Sequence, residues 1–214
     1  MPLAAKICGL NDRAGVAAAV DGGARYVGFV FYPPSPRHVS PDQAGSLMAG
    51  VPANVAKVGL FVDADDATIV AALAAPLDCL QLHGAETPER VADIRRRFGL
   101  PVMKAVPIAA AADIVAAERY LDAADRLLFD AKPPRDRNNA LPGGNGLAFD
   151  WRLLGARNWP MPWMLSGGLN AGNLVEAVTT THAVAVDVSS GVETRPGVKD
   201  PDKIVAFLQT AASL

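Results

Sequence analysis

Residues 79–106, CLQLHGAETPERVADIRRRFGLPVMKAV, contain one complete strand–helix–strand unit. The apolar run Cys79–Leu82 predicts a strand, Pro88–Phe98 has a helical pattern, and Val102–Val106 predicts the next strand. Two parallel strands need a crossover connection of this kind, usually a helix. The stretch therefore favours a βαβ arrangement.

Units of the same kind recur along the whole chain. Six further strands are predicted at Ala4–Ile7, Tyr26–Phe31, Val55–Phe61, Arg126–Asp130, Met161–Leu165 and Val184–Val188. Helical patterns cover Asp12–Asp21, Pro41–Ala49, Asp65–Ala75, Ala109–Leu121, Asn170–Thr181 and Lys203–Ala212. The strands start roughly 22 to 35 residues apart, which is the size of one βα unit.

Eight strands that alternate with helices form either an open doubly wound sheet or a closed barrel. The strand count favours closure, and such barrels begin at about 200 residues. No GxGxxG turn follows the first strand, which argues against a dinucleotide-binding sheet. No linker divides the chain, so we predict one α/β domain, a (β/α)₈ TIM barrel over residues 1–214. The longest interval between strands follows the sixth strand, and the loop 131–148 within it is typical of a functional or mobile loop.

Composition excludes several classes of partner. Of the 214 residues 50% are hydrophobic, and the net charge of -2 gives no electrostatic argument for nucleic acid. No stretch approaches the length of a membrane span, and residues 1–7 do not resemble a signal peptide. Cys8 and Cys79 form neither a disulfide framework nor a zinc cluster. We expect a cytoplasmic protein with no nucleic-acid or membrane partner, and a monomer as the default.

Polar and small residues follow most of the predicted strands. In a barrel, residues at the carboxyl ends of the strands face one shared mouth. The set consists of Cys8, Arg37, His83, Asp130, Ser166-Gly167-Gly168, Asp187 and Ser189-Ser190-Gly191. Because it combines acids, bases and anchors for a ligand, the set predicts an active site.

Cys8 shares strand parity with Lys6, so both side chains are expected to point into the mouth. A nearby ammonium lowers the pKa of a thiol and favours the thiolate. The alternative is that Cys8 is a small buried hydrophobe. Cys79 begins its strand at the opposite end of the barrel and is predicted to belong to the core.

Asp130 ends the apolar strand Arg126–Asp130. It could accept bonds from backbone NH groups in a turn, or burial could let it retain a proton for transfer. Its position opposite Cys8 in a circle of eight strands favours the second role.

The remaining residues are candidates for binding. Arg37 ends the proline-braced turn YPPSPR and is either a bidentate anchor for a carboxylate or an exposed charge on a stiff loop. Glycines and serines after strands seven and eight predict a phosphate site, since backbone NH groups can approach an anion there. Its residues are Gly167, Gly168, Ser189, Ser190 and Gly191. His83 and Asp187 are predicted substrate contacts, the alternatives being a structural histidine and a turn cap.

Six short motifs together resemble the phosphoribosylanthranilate isomerase family of tryptophan biosynthesis. They are KICG (6–9), SPR (35–37), VGLFV (58–62), QLHG (81–84), SGGL (166–169) and DVSSGVE (187–193). They run in order from the first strand to the last, so the resemblance covers essentially the whole chain.

The resemblance implies an aldose–ketose isomerase, an intramolecular oxidoreductase that performs an Amadori rearrangement without metal or cofactor. It would convert N-(5-phosphoribosyl)anthranilate to 1-(o-carboxyphenylamino)-1-deoxyribulose 5-phosphate. By position, Asp130 matches the general acid that protonates the furanose oxygen, and Cys8 the general base at C2. Arg37 matches the residue that holds the anthranilate carboxylate, and Asp187 one near the amine. The glycines and serines match the phosphate cradle.

Two features after the sixth strand depart from the family pattern. A charged stretch, KPPRDRNN (132–139), precedes the glycines, and Asn145 stands where the family has Thr or Ser in a GGxG run. A related barrel isomerase of the histidine pathway has aspartate at the position of Cys8, so the cysteine favours the tryptophan-pathway substrate.

Two other functions remain open at this point. Lys104, within the fifth strand, could face the cavity and form a Schiff base, as in a barrel lyase or aldolase. The chain could also be a non-catalytic receptor for a phosphorylated ligand that keeps the barrel.

Overall fold

A computed structural model describes residues 3–132, 143–155 and 157–214, and in it eight parallel strands close into a barrel. The strands are β1 Ala4–Cys8, β2 Tyr26–Val30, β3 Ala56–Phe61, β4 Cys79–Leu82, β5 Val102–Ile108, β6 Arg126–Ala131, β7 Trp163–Leu165 and β8 Ala185–Val188. Each strand pairs with its neighbour in chain order, and β8 pairs with β1. The predicted (β/α)₈ barrel is confirmed.

Helices connect the strands. They are α1 Arg13–Asp21, α2 Pro41–Met48, α3 Asp66–Ala72, α4 Pro88–Phe98, α5 Ala111–Ala117, α6 Arg152–Gly155, α7 Leu174–Thr181 and α8 Pro201–Ala212. Within the described ranges no helix has the length and apolar character that crossing a membrane requires. Residues 133–142, which include most of the charged stretch after the sixth strand, lie outside the described residues.

Local chemistry sets the ends of α4, the helix of the stretch 79–106. Thr87 Oγ1 accepts a hydrogen bond from Arg90 N at 3.3 Å, and Pro88 occupies the first turn. Gly99 ends the helix in the left-handed conformation, with φ of 67°. The helix therefore has the bounds that its sequence predicts.

Some boundaries differ from the sequence prediction. Helix α7 begins at Leu174 and not at Asn170, because side-chain hydrogen bonds hold residues 170–173 in a turn: Asn170 N donates to Asn173 Oδ1 at 2.8 Å. The sequence prediction also missed α6 and a hairpin after β8, formed by β9 Glu193–Arg195 and β10 Val198–Lys199. Such short segments carry too few residues to show a periodicity.

Alternate residues of the strands point into the barrel and fill its interior. This interior core is separate from the larger core between the strands and the helices. A lower layer contains Met103, Ala105 and Leu128, and Cys79 packs against it as the sequence predicted. At the mouth, Cys8 lies in a second apolar cluster with Val30. This layering brings the polar groups together at the carboxyl ends of the strands.

Candidate active site

The carboxyl ends of the strands surround one open cavity of about 750 Å³, part of it continuous with bulk solvent. It is lined by ten of the eleven residues in the predicted set: Cys8, Arg37, His83, Asp130, Ser166, Gly167, Gly168, Asp187, Ser189 and Ser190. Gly191 is not part of the lining, because its Cα packs against the carbonyl oxygen of Leu169, where a Cβ would collide. The residues predicted from the strand ends therefore line the same cavity, with the exception of Gly191.

Lys6, Cys8 and Asp187 form a buried polar group where β1 pairs with β8. Lys6 Nζ donates to Asp187 Oδ1 at 2.8 Å, and Ser166 Oγ donates to Asp187 Oδ2 at 3.2 Å. A Cβ on Gly28 of β2 would lie 3.0 Å from Cys8 Sγ and 3.1 Å from Lys6 Nζ, so both side chains reach the same point. Lys6 and Cys8 thus share the direction that strand parity predicted, and Asp187 is the partner of Lys6.

Burial governs the protonation of Cys8 more than Lys6 does. It raises the pKa of the thiol above its ordinary value; Lys6 and Lys199 offset part of this rise, and Asp187 adds to it. Lys6 by itself lowers the pKa of the Cys8 thiol, as the sequence analysis expected. The net shift of this pKa is nevertheless upward. Burial therefore favours the protonated thiol, which has to lose its proton before Cys8 can act as a base.

Asp130 and His83 are hydrogen-bonded on the cavity wall. His83 Nε2 lies 3.1 Å from Asp130 Oδ2, and Ala131 N donates to Asp130 Oδ1 at 2.9 Å. Behind His83, Gln81 Nε2 lies 2.9 Å from the imidazole Nδ1. Asp130 thus accepts a backbone bond, as the turn alternative expected, and also faces the cavity, as an acid must.

Arg37 is buried and paired with a carboxylate. Its Nε donates to Glu193 Oε1 at 2.8 Å, and its Nη2 donates to Glu193 Oε2 at 2.9 Å. Lys199 Nζ donates to the same Oε1 at 2.8 Å. The alternative of an exposed charge is therefore wrong, since only 5% of Arg37 is exposed. Two cations share one anion, which leaves a net positive charge at this end of the cavity.

Glu193, Lys199 and Gln81 were missed by the sequence analysis. Glu193 ends the motif DVSSGVE, and its place beside a run of small residues was the available signal. Gln81 precedes His83 by two residues, so the parity argument applied to Lys6 and Cys8 would have placed it in the barrel as well.

The predicted phosphate residues lie on two loops, after β7 and after β8. Gly167 and Gly168 both have positive φ, 90° and 66°, so the first turn depends on glycine. On the second loop Ser189 and Ser190 line the cavity, and Lys199 Nζ donates to Ser189 O at 2.9 Å. A buried ammonium therefore lies behind the loop, where it favours an anion.

Lys104 points away from the cavity. Its neighbours Met103 and Ala105 occupy the interior layer, so strand alternation turns Lys104 towards the helices. Its Nζ donates to Gly84 O and to Glu86 Oε2, both at 2.7 Å. The prediction that this lysine could face the cavity is therefore wrong, and the Schiff-base alternative loses its residue.

The protein is a parallel eight-stranded barrel, and its strand ends bring a thiol, a carboxyl group and glycine-rich loops to one cavity. This combination defines a (β/α)₈-barrel enzyme. Residues 5–210 match the family model of N-(5'-phosphoribosyl)anthranilate (PRA) isomerase. The chain belongs to this family.

Individual relatives agree over the full length. N-(5'-phosphoribosyl)anthranilate isomerase of Paracoccus denitrificans (strain Pd 1222) is 60% identical, over 100% of this chain and 99% of its own. A solved structure of monomers of a dimeric isomerase from Thermotoga maritima is 36% identical, with a TM-score of 0.83, over 99% of this chain and 100% of that one. Another, in complex with reduced 1-(o-carboxyphenylamino)-1-deoxyribulose 5-phosphate, is 34% identical, with a TM-score of 0.83 and the same coverage. The resemblance drawn from the motifs is confirmed.

Proposed function

We propose that this protein catalyses the Amadori rearrangement of N-(5'-phosphoribosyl)anthranilate to 1-(o-carboxyphenylamino)-1-deoxyribulose 5-phosphate, in tryptophan biosynthesis. The observation that carries the proposal is the single cavity that Cys8 and Asp130 both face in a chain of this family. The rearrangement moves protons at two neighbouring parts of one sugar, so it needs an acid and a base in the same space.

Asp130 is the proposed general acid. Its protonated carboxyl group gives a proton to the furanose ring oxygen while the bond from that oxygen to C1 breaks. The lone pair of the nitrogen forms the C=N bond, which produces a cationic Schiff base. The resulting Asp130 carboxylate lies within hydrogen-bond distance of His83 Nε2, at 3.1 Å, and of Ala131 N, at 2.9 Å.

Cys8 is the proposed general base. As a thiolate it takes the proton from C2; the C–H electron pair forms a C1=C2 double bond, and the C=N pair returns to nitrogen. The enolamine then gains a proton at C1 and loses the proton of its C2 hydroxyl group, which gives the ketone. The charge of the adjacent Lys6 stabilises the thiolate.

The two ends of the substrate carry anionic groups, and two regions of the cavity suit them. The net positive charge of Arg37, Glu193 and Lys199 is proposed to hold the anthranilate carboxylate. The loops after β7 and β8 are proposed to hold the phosphate through Gly167, Gly168, Ser189 and Ser190, which line the cavity, while Gly191 packs against Leu169 beside them. Asp187, whose carboxylate lines the cavity, is proposed to lie near the substrate amine.

We also propose that residues 1–214 act as one catalytic domain, as a monomer and in the cytoplasm. Every side chain in the scheme above comes from one chain, so the chemistry does not require a partner subunit. Sedimentation velocity at assay concentrations should therefore give a monomer. Activity that disappears on dilution together with a dimer would contradict this.

The function is tested by mixing the purified protein with freshly generated phosphoribosylanthranilate and following the loss of anthranilate fluorescence. We expect a decay far faster than that of the substrate alone. A protein that binds the reduced product analogue and leaves the decay unchanged would be the non-catalytic receptor.

Titration of the thiol tests the protonation of the base. Because burial raises the pKa of Cys8, the ultraviolet absorbance of its thiolate, taken as the difference between the wild type and Cys8→Ala, should still be increasing at pH 9.0. The rate is not the readout, because turnover also needs a protonated acid, and an acid loses its proton as pH rises. The charged groups that act on the thiol are Lys6, Lys199 and Asp187, and their net effect leaves the shift upward. A thiolate signal that is already complete at neutral pH would contradict the upward shift. Circular dichroism at each pH controls for unfolding.

A further inference from the structure

A chain of hydrogen bonds on the cavity wall leads to the proposed acid. Gln81 is fully buried on β4, and strand alternation points it and His83 to the same side. Gln81 Nε2 lies 2.9 Å from His83 Nδ1, and His83 Nε2 lies 3.1 Å from Asp130 Oδ2. The proposed reaction gives Gln81 and His83 no chemical step of their own, so this chain of hydrogen bonds needs another explanation.

The direction of these bonds fixes the tautomer of the imidazole. An amide nitrogen only donates, so Gln81 Nε2 donates to His83 Nδ1, which then carries no proton. The remaining ring proton lies on Nε2 and points at Asp130 Oδ2. Both hydrogen bonds therefore run in one direction, from Gln81 to His83 and from His83 to the carboxyl group of Asp130.

In this orientation the amide oxygen of Gln81 is left without a hydrogen bond from the described part of the chain. Gln81 Oε1 is buried and, among the residues that the structure describes, has no hydrogen-bond partner. Buried polar atoms are paired in the great majority of cases, and an exception calls for an explanation. An amide that leaves its acceptor unpaired while its donor is engaged is better explained by the need to hold His83 than by space filling.

Backbone covers the bond between His83 and Asp130. A Cβ on Gly143 would lie 2.7 Å from Asp130 Oδ2 and 2.7 Å from His83 Nε2. Both ring nitrogens of His83 are already engaged, Nδ1 with Gln81 and Nε2 with Asp130, so neither is free to bind a substrate. The ring is therefore better placed to touch Asp130 than a bound ligand.

We propose that His83 is a positioning residue for Asp130, held in its tautomer by Gln81, and not a substrate contact. The Nε2 proton of His83 keeps the Asp130 carboxyl group aimed at the cavity. It also stabilises the negative charge that Asp130 gains when its proton passes to the ring oxygen. The inference rests on the proposed function, because it assumes that Asp130 is the acid.

Nitrogen-15 NMR of labelled histidines reads the tautomer without turnover. The chain has three histidines, His38, His83 and His182, so the signals lost in His83→Gln identify His83. We expect its Nε2 to be protonated and its Nδ1 to be bare in the wild type. In Gln81→Leu, which removes the donor, a mixture of tautomers should appear. A wild-type His83 with a proton on Nδ1 would overturn the proposal.

Kinetics separate positioning from substrate contact. His83→Asn, whose amide ends short of the Nε2 position, should lower kcat about 10²-fold, the scale of a misplaced catalytic group, with little change in KM. His83→Gln, whose amide reaches further, should recover part of this loss. His182→Asn is the matched control, because His182 is exposed and has a positive φ of 55° that asparagine tolerates.

The outcomes distinguish this proposal from the proposed function. An inactive wild type would remove the proposed function, while the NMR experiment would still test the orientation of Gln81 and His83. An active wild type in which His83→Asn raises KM at unchanged kcat would return His83 to the substrate contacts and overturn the positioning role alone.

Discussion

Replacing Cys8 by alanine should lower kcat about 10²–10⁴-fold, the usual contribution of a positioned base, and leave binding of the reduced product analogue nearly unchanged. Lys6 is the nearest group that could take over, but it is a poor substitute. Burial acts to lower its pKa, yet Asp187 and Cys8 outweigh burial, so the pKa is raised and Lys6 remains an ammonium. Initial rates from fluorescence and calorimetry of the analogue measure the two quantities.

Cys79→Ala is the matched control for this prediction. Cys79 packs at the lower layer of the barrel, away from the cavity, and its removal should leave kcat unchanged. Equal losses in both variants would trace the effect to folding. Full activity in Cys8→Ala would mean that another group takes the proton from C2.

Asp130→Asn should also lower kcat about 10²–10⁴-fold, because the amide has nearly the shape of the carboxyl group but no acidic proton. Its side-chain oxygen can still accept the hydrogen bond that Ala131 N now gives at 2.9 Å, so the loop should keep its conformation. Its amide nitrogen then meets the Nε2 proton of His83, so the imidazole has to shift and part of the loss comes from this displacement. Fluorescence rates measure the loss. Calorimetry with the reduced product analogue should show that binding survives.

Asp42→Asn serves as the control for the second prediction. Asp42 is exposed in the first turn of α2, so the same chemical change there should leave the rate unchanged. A near-normal rate in Asp130→Asn would contradict the acid role, and also the reason given for the hydrogen bond from His83.

The sequence predicted the barrel and the contents of its mouth for the same physical reason. Parallel strands that close in order bring their carboxyl ends to one face, so residues as far apart as Cys8 and Asp130 come to line one cavity. The net pKa shift of Cys8 was beyond this reasoning, because burial depends on the packing of several strands. The contact of His83 with Asp130, 47 residues further along, likewise depends on side-chain reach across β5.

The errors have physical causes too. Val102–Val106 is buried at every position, so the sequence gives no sign that Lys104 faces the helices while Met103 faces the interior. Glu193 and Lys199 lie in strands of three and two residues, which are too short to show an alternation. The pairing of Arg37 with Glu193 therefore became visible only in the folded structure.

The ion pair of Lys6 with Asp187 joins residues 181 positions apart, across the line where β8 docks on β1. During translation the thiol leaves the ribosome long before the carboxylate that completes its surroundings. A nascent chain or a fragment that stops short of β8 lacks both Asp187 and the strand that closes the barrel, so Lys6 has no carboxylate partner from β8. The site can be complete only after β8 has been synthesised and has paired with β1.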